Sequence, residues 1–180
     1  MRTRERSQPR RHYIPAIELT DEMALIRAHI EALNVEFWYR VDHQNGDGVA
    51  ELFCEDGVYS VPGGRNAGRA AIAESYVKRA ARGPRVSRHV FSNLRLTIET
   101  PTLAHGVSML TLWARDGEAP LALTLPVSVS DVRDTYVKGD DDVWRIQHRH
   151  ITTAFRGEEP AVLPFSSDET AAPEGASHAV

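Results

Sequence analysis

The chain has 180 residues, 42% hydrophobic and 26% charged, with a formal net charge of −4, the balance of an ordinary globular domain rather than a disordered segment. An acidic chain of pI about 6.1 is not built as a general nucleic-acid binder, and no apolar run approaches the roughly 20 residues of a membrane-spanning helix, so neither partner is expected. Cys54, the single cysteine, excludes an internal disulfide and a multi-cysteine zinc site.

The first eleven positions hold Arg2, Arg4, Arg6, Arg10 and Arg11 with no apolar stretch behind them, unlike a secretory signal. A flexible basic arm over 1–18 and a cytoplasmic location are the expectations. Thr20 is a good N-cap, and Asp21 and Glu22 complement the dipole of a first helix whose buried stripe is Met23, Ile26, Ile30, Leu33 and Phe37. Gln44 to Gly48 breaks it. Val49 to Cys54 reads as a short second helix, Glu55-Asp56-Gly57 as a turn, and Val58 to Val61 as a strand ended by Pro62-Gly63-Gly64. Ala70 to Ala81 predicts a third helix closed by Gly83-Pro84.

Beyond Pro84 the period falls to two. Strands are predicted over Arg88–Thr100, Ala104–Arg115, Leu121–Lys138 and Val143–Phe155, with a hairpin loop at Gly139 to Asp142. From 157 to 180, prolines, small residues and acids predict a flexible tail, which leaves 19–156 as one domain. The class is α+β: three N-terminal helices packed on one strongly curved, mostly antiparallel sheet.

Val41-Asp42-His43, then Leu52 to Tyr59, Gly68-Arg69-Ala70-Ala71-Ile72, Arg88 to Asn93, and Asp142 to Ile146 followed by Arg149 occur in an order that resembles SnoaL-like domains. These belong to the cone-shaped nuclear-transport-factor-2-like superfamily, and the resemblance spans about Ile26 to Ile151. It is strongest toward the branch of scytalone dehydratase, hexachlorocyclohexane dehydrochlorinase and the bile-acid dehydratase. That branch implies a catalytic pair, Asp42 and His89. Neutral imidazole can take a proton at physiological pH, while a carboxylate fixes its tautomer and stabilises the imidazolium. No metal or organic cofactor is needed for such an elimination. Such a pair can equally tie a helix end to a strand.

The resemblance implies that Arg149 holds a leaving group; a structural ion pair with a helix acid is the alternative. Phe37 stands where the branch has a lysine or tyrosine, so Tyr39 or Tyr59 becomes the candidate proton donor. Trp38, Phe53, Met109 and Trp113 would line a pocket for a hydrophobic substrate, or fill a core. His148 and His150 share strand parity with Trp144 and Ile146, which would turn them to the pocket. A metal held by them with Asp131 or Asp134 fits no firm motif. Strict alternation groups His89 with Phe91, Asn93 and Arg95, opposite Val90, Leu94 and Leu96. For His89 to face the pocket, either a bulge has to reset that register or the pocket-facing side has to be the other one.

The reading is a cofactor-independent dehydratase, dehydrohalogenase, isomerase or cyclase. Two alternatives are a non-catalytic subunit similar to the small subunit of ring-hydroxylating dioxygenases and a lipophilic-ligand binder. Apolar residues on both parities of the long strands predict a homo-oligomer, and the enzymes resembled favour a trimer over a dimer.

Overall fold

The computed structural model describes residues 19–157. The expected basic arm and all but the first residue of the expected tail lie outside the described residues.

Helix α1 runs over Asp21–His43 and starts where the sequence places it, with the Thr20 hydroxyl accepting from the Met23 N–H at 3.2 Å. Ile26, Ile30, Leu33, Phe37, Trp38 and Val41 form its buried face. The expected second helix is instead one four-residue 3-10 turn, Val49–Leu52. Sheet pairing overrides it, because Phe53 is extended and pairs with Ile146. The described residues therefore hold two α-helices, not three.

Strand β1 (Phe53–Val61) absorbs the expected turn at Glu55-Asp56-Gly57 as a register shift within one strand. Pro62-Gly63, with Gly63 at φ +89°, then turns the chain into a short strand, β2 (Gly64–Ala67), that pairs back on β1. Helix α2 (Arg69–Ala80) buries Ile72, Ser75, Tyr76 and Arg79.

Four long strands follow: β3 (Arg85–Thr100), β4 (Leu103–Asp116), β5 (Ser128–Lys138) and β6 (Trp144–Arg156). The strand expected from Leu121 begins only at Ser128. Pro126 removes a ladder donor from that stretch, and it lies along β4 instead. There Trp113 Nε1 donates to the Thr124 carbonyl at 3.0 Å. The six strands form one sheet in the order β2-β1-β6-β5-β4-β3, antiparallel except for β1 beside β6.

Two irregularities decide which side chains face the helices. Asn93 takes φ +55°, and the β3–β4 register shifts between Ser92 and Arg95. Ser87, His89 and Phe91 consequently share the inner side with Leu94, Leu96 and Ile98, while Val90 is exposed. On β6 the shift falls at Gln147, between the Tyr136–Ile146 and Thr135–His148 pairs. Inward residues are then Ile146, Arg149 and Ile151. The core lies between this face and the two helices, with Ile30, Phe37, Phe53, Ile72, Tyr136 and Ile146 fully buried.

Candidate functional site

Asp42 lies in the last turn of α1, an unfavourable end of the dipole for a carboxylate. Three donors offset that. The His89 backbone N–H reaches Oδ2 at 2.7 Å, while the Ser87 hydroxyl at 2.7 Å and His89 Nδ1 at 2.6 Å both meet Oδ1. Burial, the largest influence, would raise the Asp42 pKa, but the hydrogen bonds from His89 and Ser87 outweigh it and hold the carboxyl below its ordinary range. An ionised Asp42 makes Nδ1–H the donor, which leaves Nε2 as the basic nitrogen. Trp38 stacks on the imidazole with ring centroids 4.4 Å apart and so restricts its rotation. Burial lowers the His89 pKa, and the charges of Arg79 and Arg85 act in the same direction against Asp42.

His89 lines a cavity of about 40 Å³ together with Trp38, Tyr59, Tyr76, Arg79, Arg85 and Ser87. That volume takes one small group, far less than the several hundred Å³ of a drug-sized pocket. Burial raises the pKa of Tyr59 and, more strongly, of Tyr76, so both phenols stay protonated, and their hydroxyls share a hydrogen bond. Gly46 makes room for Tyr76: at φ +87°, a Cβ there would lie 2.0 Å from Tyr76 Cδ1.

The expected site residues divide sharply. Asp42, His89, Trp38 and Tyr59 come together. Arg149 is fully buried in the core, where Nε meets Asp134 Oδ1 at 3.0 Å and Nη2 meets Asp134 Oδ2 at 2.7 Å. Asn34 Oδ1 also accepts from Nη2, the Phe37 ring lies 4.2 Å below the guanidinium, and Tyr136 donates to Asp134 at 2.5 Å. Its acid partner thus comes from β5 rather than a helix, and it does not line the cavity. Phe53 is core, packed on Phe37 and Tyr59.

Five residues expected at the pocket, Tyr39, Met109, Trp113, His148 and His150, face away from the cavity. Tyr39 is 51% exposed and stacks on His43, because it projects from the outer side of α1. Met109 and Trp113 share the outward parity of β4, where Ala104, Ser108, Leu110 and Ala114 are the buried set. The bulge at Gln147 turns His148 and His150 to the exposed face. Asp134 points inward to Arg149, and no group of three potential metal ligands occurs among the described residues.

Ser87, Tyr76 and Arg79 were not anticipated. Ser87 is two residues before His89 on the same strand face. Arg79 completes the spacing Ile72, Ser75, Tyr76, Arg79 on the buried stripe of α2, and a charge on such a stripe is the signal that marks it.

A model of the SnoaL-like domain family matches residues 22–150. Among solved structures, a protein of Novosphingobium aromaticivorans assigned as a scytalone dehydratase is 23% identical, over 79% of this chain and 93% of that one, with TM-score 0.68. A Mycobacterium tuberculosis protein of unknown function is 26% identical over 74% of each chain, with TM-score 0.63. LinA is 19% identical over 74% of this chain and 89% of that one, with TM-score 0.58. No curated protein matches.

Proposed function

Because the chain belongs to the SnoaL-like domain family, we propose that it is a cofactor-independent acid–base enzyme, of lyase or isomerase type, acting on a hydrophobic small molecule. The observation that carries this reading is the 2.6 Å contact between Asp42 Oδ1 and His89 Nδ1, with His89 on a cavity wall. Likeness to the dehydratase-type structure supports it through the fold.

In this reading His89 Nε2 removes a proton from a carbon next to an activating group. The C–H electron pair becomes a double bond, and the leaving group departs from the neighbouring carbon with its own bonding pair. Asp42 stabilises the imidazolium that forms, in a site where burial has left the imidazole neutral and ready to accept. Tyr59, held protonated by burial, donates to the activating oxygen. Substrate enters by its reacting end, since about 40 Å³ beside His89 admits no more, and its apolar body has to widen the cavity. The working form in this reading is a homo-oligomer, a trimer in preference to a dimer.

Proton exchange in D₂O, followed by NMR over a panel of β-hydroxy and β-halo carbonyl compounds, tests the reading. Wild-type protein should exchange or eliminate at least one of them, and His89→Ala should lose roughly 10²–10⁴-fold in rate. Equal rates in both proteins would overturn the assignment. A ligand bound equally by both and turned over by neither would mean a binding protein.

A further inference from the structure

Elimination releases an anion, and the residues that resemblance assigns to it do not stand where it would form. Phe37 is uncharged, and Arg149 is engaged by Asp134 in the core. The cavity nevertheless has two guanidinium walls, Arg79 from α2 and Arg85 from the start of β3. Arg79 is only 7% exposed, yet its hydrogen bonds run to neutral oxygens: Nη1 to Asn45 Oδ1 at 2.9 Å and Nη2 to Ser87 Oγ at 3.4 Å. Ser87 donates a hydrogen bond to Asp42, so that carboxylate is bonded by Ser87 and His89, and its charge acts on Arg79 through space. Arg85 has a carboxylate partner, Asp116 at 2.9 Å, but Asp116 sits on the exposed rim while Arg85 is largely buried. Keeping the Arg79 charge out of water on hydrogen bonds to neutral oxygens is costly even with Asp42 nearby, and an anion arriving in the cavity relieves that cost. Both guanidiniums line the same cavity as His89, and their charges bear on its ring.

We infer that Arg79 and Arg85 form an anion subsite beside His89 that takes one small monovalent group, either the departing leaving group or a carboxylate carried by the substrate. The origin of that group rests on the acid–base reading above; its binding does not. The cavity volume of about 40 Å³ suits a halide or a single carboxylate and is too small for a phosphate ester with its organic part. In the elimination, the carbon's proton goes to His89 Nε2, and the leaving group, with the bonding pair, goes to Arg79 and Arg85.

The test titrates the full-length protein at constant ionic strength with sodium bromide in one arm and sodium acetate in the other. The readout is the His89 imidazole signal by NMR. A saturable shift is expected in at least one arm, weakened at least about tenfold in Arg79→Gln, partly kept in Arg79→Lys, and unchanged in Arg65→Gln on exposed β2. Saturation by bromide alone assigns the subsite to a leaving halide, and saturation by acetate to a substrate carboxylate. No saturation in either arm, or equal affinity in Arg79→Gln and wild type, would overturn the inference. Should Arg79→Gln fail to fold, Arg79→Lys and Arg85→Gln carry the same comparison. Arg79-dependent binding without His89-dependent turnover would refute the enzyme reading and leave the subsite standing. The opposite pattern would refute the subsite alone.

Discussion

At the scale of single residues, His89 and Asp42 make stability depend on pH in a direction that can be worked out. Burial keeps the His89 pKa below the ordinary imidazole value of about 6.5, although Asp42 pulls the other way. Between the native and unfolded values, the unfolded chain binds the extra proton. Stability therefore falls as pH drops below about 6.5 and levels off below the native His89 value. Asp42 behaves as a depressed carboxylate: its contribution is complete above about pH 4 and is lost as pH falls through its native value. Urea denaturation from pH 8 to pH 5 should show a decline in wild type that is shallower in His89→Asn. Identical slopes would mean that His89 is not held neutral by the fold.

At the scale of elements, the bulge at Asn93 joins two inward-facing sets on one strand. Ser87 and His89 precede it, and Leu94, Leu96 and Ile98 follow. Its φ of +55° suits Asn or Gly and penalises a β-branched side chain. Asn93→Val should cost about 1–2 kcal/mol in chemical denaturation, and Asn93→Gly should stay within about 0.5 kcal/mol of wild type. Equal costs would show that some other residue sets the register. The same bulges mark where sequence reading stopped. Thr20, the apolar stripe of α1, and the hairpin loop at 139–142 follow local rules, and their elements lie close to where those rules put them. A bulge is decided by the partner strand, so alternation alone leaves the side of His89 conditional and puts His150 on the wrong face. Met109 and Trp113 sit on a strand with apolar residues at both parities, where periodicity cannot choose a face. Asp42 and His89 were legible because their setting matches a family pattern. Arg79 matched none, and only its position on a buried stripe marks it.

At the scale of the whole molecule, the outer face of the sheet is unusually apolar. One cross-strand row, Val90–Thr111–Val129–Phe155, crosses four strands on the side away from the helices. Val90 and Met109 are exposed there, Phe155 is 72% exposed, and Leu123 and Leu125 stand 93% and 85% exposed beside them. Two grooves widen the patch: one of about 460 Å³ between Val90, Trp113 and Leu123, another of about 660 Å³ between Leu125, Val129 and Phe155. Monomers rarely leave so much contiguous apolar surface in water, and a second copy on the same face is the simplest cover. The proposed homo-oligomer therefore predicts a sedimentation mass two or three times the 20.0 kDa chain at micromolar concentration, three times being favoured. Phe155→Asp sits outside the core, so it should lower that mass while leaving the thermal transition of the fold in place. A wild-type mass near 20 kDa, or a Phe155→Asp protein as large as wild type, would show that this face is not the interface.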